Sequence, residues 1–191
     1  MQKNYLESLK SVSKKFTKRE KIFDIVLYGS TTKGKDEGRD IDILIIFENL
    51  KLKKRTEISQ DYKKNVKELV KNIDVKTINL KEFFDKEFLA RTGVFVEGIS
   101  LVYKTPFSER LGFEGYILFT YDLKNLSHNK KTKFIYALIG RKKEGMLKKL
   151  EAKHLGRGAI IVPIKNGLIF EEFLERWKIN YKLKRILVSI L

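Results

Sequence analysis

The stretch IFDIVLYGSTTKGKDEGRDIDILIIF, residues 22–47, decides the fold. Six of its first seven residues, Ile22 to Tyr28 with Asp24 the exception, are β-branched, aromatic or aliphatic, and the run stops at Gly29, which is the pattern of a buried strand. The loop from Ser30 to Arg39 is polar and contains glycine. Residues 41–47 read as a second strand, apolar on both faces beyond the aspartates, as expected for a central strand covered on both sides. Asp40 and Asp42 stand two apart at its start, so their side chains leave one face about 7 Å apart along the chain. Anions this close on an apolar strand are costly and shift each other's protonation unless a cation neutralises them. The chain has no cysteine, and neither of its two histidines lies in this region. Oxygen-only ligands favour a hard cation, so magnesium or manganese is the expected occupant.

At the end of the first strand, Gly29 and Ser30 offer backbone N–H groups and a hydroxyl where a phosphate chain can approach without a Cβ in the way. Lys33, Lys35 and Arg39 in the loop are candidate phosphate contacts whose other reading is a solvated position.

Outward from this stretch the periodicity continues. Residues 5–20 carry apolar positions at helical spacing, as do residues 54–72, which lead into a third strand from Ile73 to Leu80. Residues 81–103 read as a helix followed by a short closing element, Ile99 to Tyr103. Thr105-Pro106-Phe107, with Gly112 and Gly115 beyond, is the expected boundary, because Pro and Gly punctuate structure. Two domains follow, 1–104 and 105–191. The second reads as a strand (Tyr116 to Tyr121), a basic helix (Lys131 to Ile139), another helix (Glu144 to Leu155), a strand (Ala159 to Val162), a helix (Leu168 to Trp177) and a final apolar segment.

Leu27-Tyr28-Gly29-Ser30, nine residues, then Asp40-Ile41-Asp42-Ile43 resembles the nucleotidyltransferase fold of the DNA polymerase beta superfamily, particularly its minimal members. The resemblance spans about residues 20–103. It departs at Arg39, where minimal members often carry Ser. It implies an α/β (α+β) fold with a small mixed sheet flanked by helices. It also implies a third carboxylate on a later neighbouring strand, for which Asp74 matches in position and context. Asp40, Asp42 and Asp74 would then be both catalytic and metal-binding, holding two Mg²⁺ or Mn²⁺ ions. Gly29, Ser30, Lys33 and Arg39 would contact the nucleotide, an NTP with ATP expected.

At 191 residues, with 42% apolar and 12% aromatic residues, the chain has enough apolar surface for one generous domain or two small ones. Its N-terminus lacks the apolar core of a signal peptide, and no apolar run approaches the roughly 20 residues of a membrane span. A cytoplasmic protein with no membrane partner is expected. The formal net charge of +17 bears on partners rather than on fold. The excess is denser toward the C-terminus, where Lys124 to Arg157 holds eleven Lys or Arg against two acids. Lys131, Lys133, Arg141, Lys142, Lys143, Lys148, Lys149 and Arg157 are the candidate nucleic-acid contacts, with a solvated helix face as the other reading.

The expected function is transfer of a nucleoside monophosphate to an acceptor hydroxyl on nucleic acid, RNA favoured. One alternative is an antitoxin-type minimal nucleotidyltransferase that binds or adenylylates a partner toxin protein. Another is a nucleic-acid-binding module with a vestigial site.

Overall fold

A computed structural model describes residues 3–29, 40–70 and 72–190. The chain divides into two compact units, Met1–Gly112 and Phe113–Leu191. Among the described residues, no helix is long and apolar enough to cross a membrane.

The first unit runs α1 (Lys3–Arg19), β1 (Ile22–Tyr28), β2 (Ile41–Phe47), α2 (Leu52–Val66), β3 (Ile73–Asn79), α3 (Leu80–Phe83), α4 (Arg91–Glu97) and β4 (Ile99–Ser100). Its strands form one mixed sheet in the order β3-β2-β1-β4. β1 is antiparallel to both neighbours, while β2 and β3 are parallel. A parallel pair needs a crossover, and α2 supplies it.

The sheet buries both faces, which is why β2 is apolar at every position after Asp42. On one face Ile25, Leu27, Ile43, Ile45 and Phe47 pack with Leu9 and Phe16 of α1 and Ile58, Tyr62 and Val66 of α2. On the other face Val26, Tyr28, Leu44 and Ile46 pack with Phe83, Val94 and Phe107. Each such side chain, fully buried, contributes about 1.5–3 kcal/mol. A single-residue slip of β2 would exchange its two apolar sets and carry Asp42 into the core, so the register is strongly fixed.

Several elements differ from the periodicity reading. α2 ends at Val66 rather than near 72, and residues 81–97 form two short helices instead of one. The first unit also extends past 104. Pro106 bridges Ile99, the Phe107 N–H donates to the Gly98 carbonyl at 2.8 Å, and the Phe107 ring is buried. Proline here begins a tie-down onto the sheet edge, and the chain leaves the unit only after Gly112, whose φ of +82° forms the turn.

The second unit runs β5 (Phe113–Tyr121), α5 (His128–Ile139), α6 (Met146–Lys149), β6 (Lys153–Gly156), β7 (Ala159–Pro163), α7 (Gly167–Arg176) and β8 (Tyr181–Ser189). Its antiparallel sheet, ordered β6-β7-β5-β8, covers a core of Phe119, Phe134, Phe170, Phe173 and Leu174. Trp177 packs edge-on against Phe134 at 5.6 Å. The expected helix over 144–155 is one turn, α6, followed by strand β6. Gly145 lies so close to the Ile139 and Gly140 backbone that no Cβ fits there, and Glu151 adopts a left-handed φ of +55° that ends the helix. The final apolar segment is strand β8, paired with β5 along its whole length.

Candidate active site

Pairing register places Tyr28, Asp42 and Asp74 in one row across β1, β2 and β3. Residues at one level of adjacent strands project to the same face, with strands about 4.8 Å apart. Asp42 and Asp74 therefore lie side by side where the apolar floor of Val26, Leu44 and Ile46 ends. Asp40 stands one residue before β2 and is exposed.

Gly29 follows β1 with φ +84°. A Cβ on it would run into the Asp42 carboxylate, so glycine is what lets Asp42 lie against the turn. Gly29→Ala should cost about 1 kcal/mol from the left-handed backbone. By displacing Asp42, it should also weaken at least about tenfold, by calorimetry, the ATP and magnesium binding that the family resemblance implies. Binding within about twofold of wild type would contradict the close-approach argument.

Asp42 has its carboxyl pushed above the usual range, chiefly by burial and then by the neighbouring Asp74 and Asp40, with Lys76 opposing. Lys76 sits at 3.5 Å from Asp74 Oδ2. Its ammonium is held above the ordinary lysine value, first by Tyr28 and then, against burial, by Asp74 and Asp42. The Tyr28 side chain is buried beside them, close enough to the Lys76 ammonium for the two to influence each other's charge. Burial is the main cause raising its pKa.

Lys76 and Tyr28 are residues that the motif reading missed. The signal for Lys76 was its place two after Asp74 on a strand, which puts both on one face. Tyr28 was read only as the last apolar position before the turn. Ser30, Lys33, Lys35 and Arg39 lie outside the described residues.

The oxygen-only donor set and the mutual repulsion of Asp42 with its neighbours fit a hard divalent cation. Among the described residues, no group of three or more His, Cys, Asp or Glu side chains is drawn together tightly enough to enclose one. Asp42 and Asp74 are the two carboxylates that pairing register brings together on this face.

The basic candidates belong to the second unit. Lys131 and Lys133 lie on α5, Arg141, Lys142 and Lys143 in the turn after it, Lys148 and Lys149 on α6, and Arg157 between β6 and β7. All but Lys131, which is half-buried, are exposed. Lys148 pairs with Glu144 at 3.6 Å, and the Arg141 guanidinium lies 4.8 Å from the centre of the Tyr136 ring.

Comparison with known proteins matches residues 9–98 to the family model described as a nucleotidyltransferase domain. No curated protein matches the sequence. A crystal structure of a toxin-antitoxin with AMP-PNP is similar at 22% identity, over 58% of this chain and 80% of that chain, with a TM-score of 0.37.

Proposed function

We propose, from the match of residues 9–98 to the nucleotidyltransferase-domain model, that the chain moves a nucleoside monophosphate from an NTP, ATP expected, onto a hydroxyl of a nucleic-acid acceptor, RNA favoured. The observation that carries this reading is the register pairing of Asp42 with Asp74 beside the Gly29 turn.

Asp40, Asp42 and Asp74 would hold magnesium or manganese in this reading, two ions being expected. When bound, the ions supply charge neutralisation on the triphosphate and acidify the attacking hydroxyl. Gly29 and Ser30 hold the departing phosphates through backbone N–H groups and a hydroxyl. Asp74, at the edge of the carboxylate pair, receives the acceptor proton while that oxygen attacks the α-phosphorus in line and pyrophosphate leaves. Lys76 offsets part of the charge on Asp74 before any cation arrives. The protein's contribution is position and charge, with no covalent intermediate. The exposed lysines and arginines of the second unit match a phosphodiester backbone, so the acceptor is taken to be a polyanion.

Incubation of the purified chain with each labelled triphosphate, magnesium, total RNA and cell protein tests this. Label on RNA, lost on addition of EDTA, is the expected result. Label confined to a protein would favour the partner-protein alternative. Absence of transfer from every triphosphate would overturn the enzymatic reading.

A further inference from the structure

In the second unit, α5 turns Phe134 and Leu138 into the core but leaves Ile135 and Ile139, one turn apart on the same side, outside it. Ile139 is 58% exposed. These two side chains face a cavity of about 500 Å³ whose other walls include Tyr121, Leu123, His154 and Arg157. A second hollow of about 280 Å³ shares Tyr121 and Asp122 with the first and is edged by Tyr181 and Lys182. The first volume lies within the roughly 300–1,000 Å³ of small-ligand sites.

An exposed apolar hollow attracts cover, and the charge around this one selects what covers it. Lys131 precedes Ile135 by one turn on the same side of α5, and Arg141 to Lys143 follow the helix directly. Arg157 stands in the wall itself, and Asp122 is the one acid there. The fitting ligand is anionic along its length yet carries flat apolar faces. Double-stranded nucleic acid hides those faces in its stack, whereas single strands present them. Two hollows that both border on Tyr121 and Asp122 suit successive units of a polymer better than one isolated small molecule.

We propose that this groove, between α5 and the β6–β7 turn, binds single-stranded nucleic acid, with one base held against Tyr121, Ile135 and Ile139 and its phosphates met by Arg157 and the lysines beside α5. Asp122 accepts from a base amino or imino group, and His154 and Arg157 offer donors. The proposal deepens the reading of the acceptor as nucleic acid and rests on it, since the groove then recruits the strand whose end is extended.

The test uses the full chain, a fluorescein-labelled oligouridylate of about twelve nucleotides, and an abasic probe of the same length, with anisotropy read across a salt series. Ile139→Ser should weaken oligouridylate binding about tenfold, as loss of one base contact does, and leave abasic binding and both salt slopes unchanged. Arg157→Ala should weaken both probes and flatten both slopes, because it removes a phosphate contact. Both sites are exposed, and matching far-UV melts check the fold. Undiminished oligouridylate binding by Ile139→Ser, or an equal loss on the abasic probe, would overturn the proposal. Capture of an acidic amphipathic peptide by wild type alone, with oligouridylate binding unaffected, would likewise assign the groove to a protein partner. Retained labelling of some acceptor without groove-dependent binding sinks only the groove. Groove-dependent binding with no transfer from any triphosphate sinks only the transferase reading.

Discussion

Asp42→Asn should reduce nucleotidyl transfer by at least about a thousandfold while leaving the first unit folded. The size follows from removing an anion at the centre of the proposed cation site, where each preorganised electrostatic contact is worth about a hundredfold or more. Retention of more than about a tenth of wild-type turnover would refute the metal-ligand assignment. The same change should stabilise the metal-free protein. Burial and the neighbouring Asp74 raise the folded-state pKa of Asp42 above its ordinary value of 3.8. A raised carboxyl contributes stability that is fully present below 3.8 and is lost as pH rises through the folded value. Above that window the wild type carries a crowded anion that Asn lacks. Thermal melts in EDTA should therefore put Asp42→Asn above wild type at neutral pH and converge as pH falls toward 3.8. Added magnesium should close the neutral-pH gap by stabilising wild type alone.

The two strands that frame this site were legible in the sequence because both faces of the sheet are covered. Ile22 to Tyr28 and Ile41 to Phe47 are apolar runs broken only by Asp24 and Asp42, and the structure places strands over both ranges. Asp74 beside Asp42 was implied by the family resemblance, and register supplies the physical account of their adjacency. Lys76 was hidden by abundance, since among 41 lysines and arginines one more carries no signal until pairing shows which face it shares. The second unit was less legible. Met146, Leu147 and Leu150 have helical spacing, but tight packing at Gly145 and the left-handed Glu151 are tertiary facts that periodicity does not contain. Pro106 misled for the opposite reason. Its punctuation was real, but it marks the start of a segment bound back onto the sheet.

That bound segment carries the largest expected stability effect. Asp24 on β1 is completely buried and accepts hydrogen bonds of 2.8 Å from the Ile25 N–H, the Ser100 hydroxyl and Arg110 Nη1. The Arg110 guanidinium lies 3.6 Å from the centre of the Tyr103 ring and 5.0 Å from that of Phe23, two contacts that add cation–π attraction. Arg110→Met should destabilise the first unit by about 3–5 kcal/mol, because it strands a buried anion with only neutral donors. Burial, the main influence on Asp24, already raises its carboxyl above 3.8 against the pull of Arg110 and Ser100. Without the guanidinium the folded-state value rises further, so the stability held below 3.8 is lost over a wider span as pH increases. The deficit of Arg110→Met should be largest near neutrality and shrink toward pH 4, where Asp24 enters the folded state protonated. The double change Asp24→Asn with Arg110→Met should recover most of the loss, since no charge is then left unpaired. The single tryptophan, Trp177, lies in the second unit, so hydrogen exchange of peptides from β1 and β4 is the suitable measurement. A loss below about 1 kcal/mol, or one that does not vary with pH, would show that Asp24 does not depend on its cation. A full loss would identify the clasp as what pins β4 and the 98–112 segment to β1, the strand that ends in Tyr28 and Gly29.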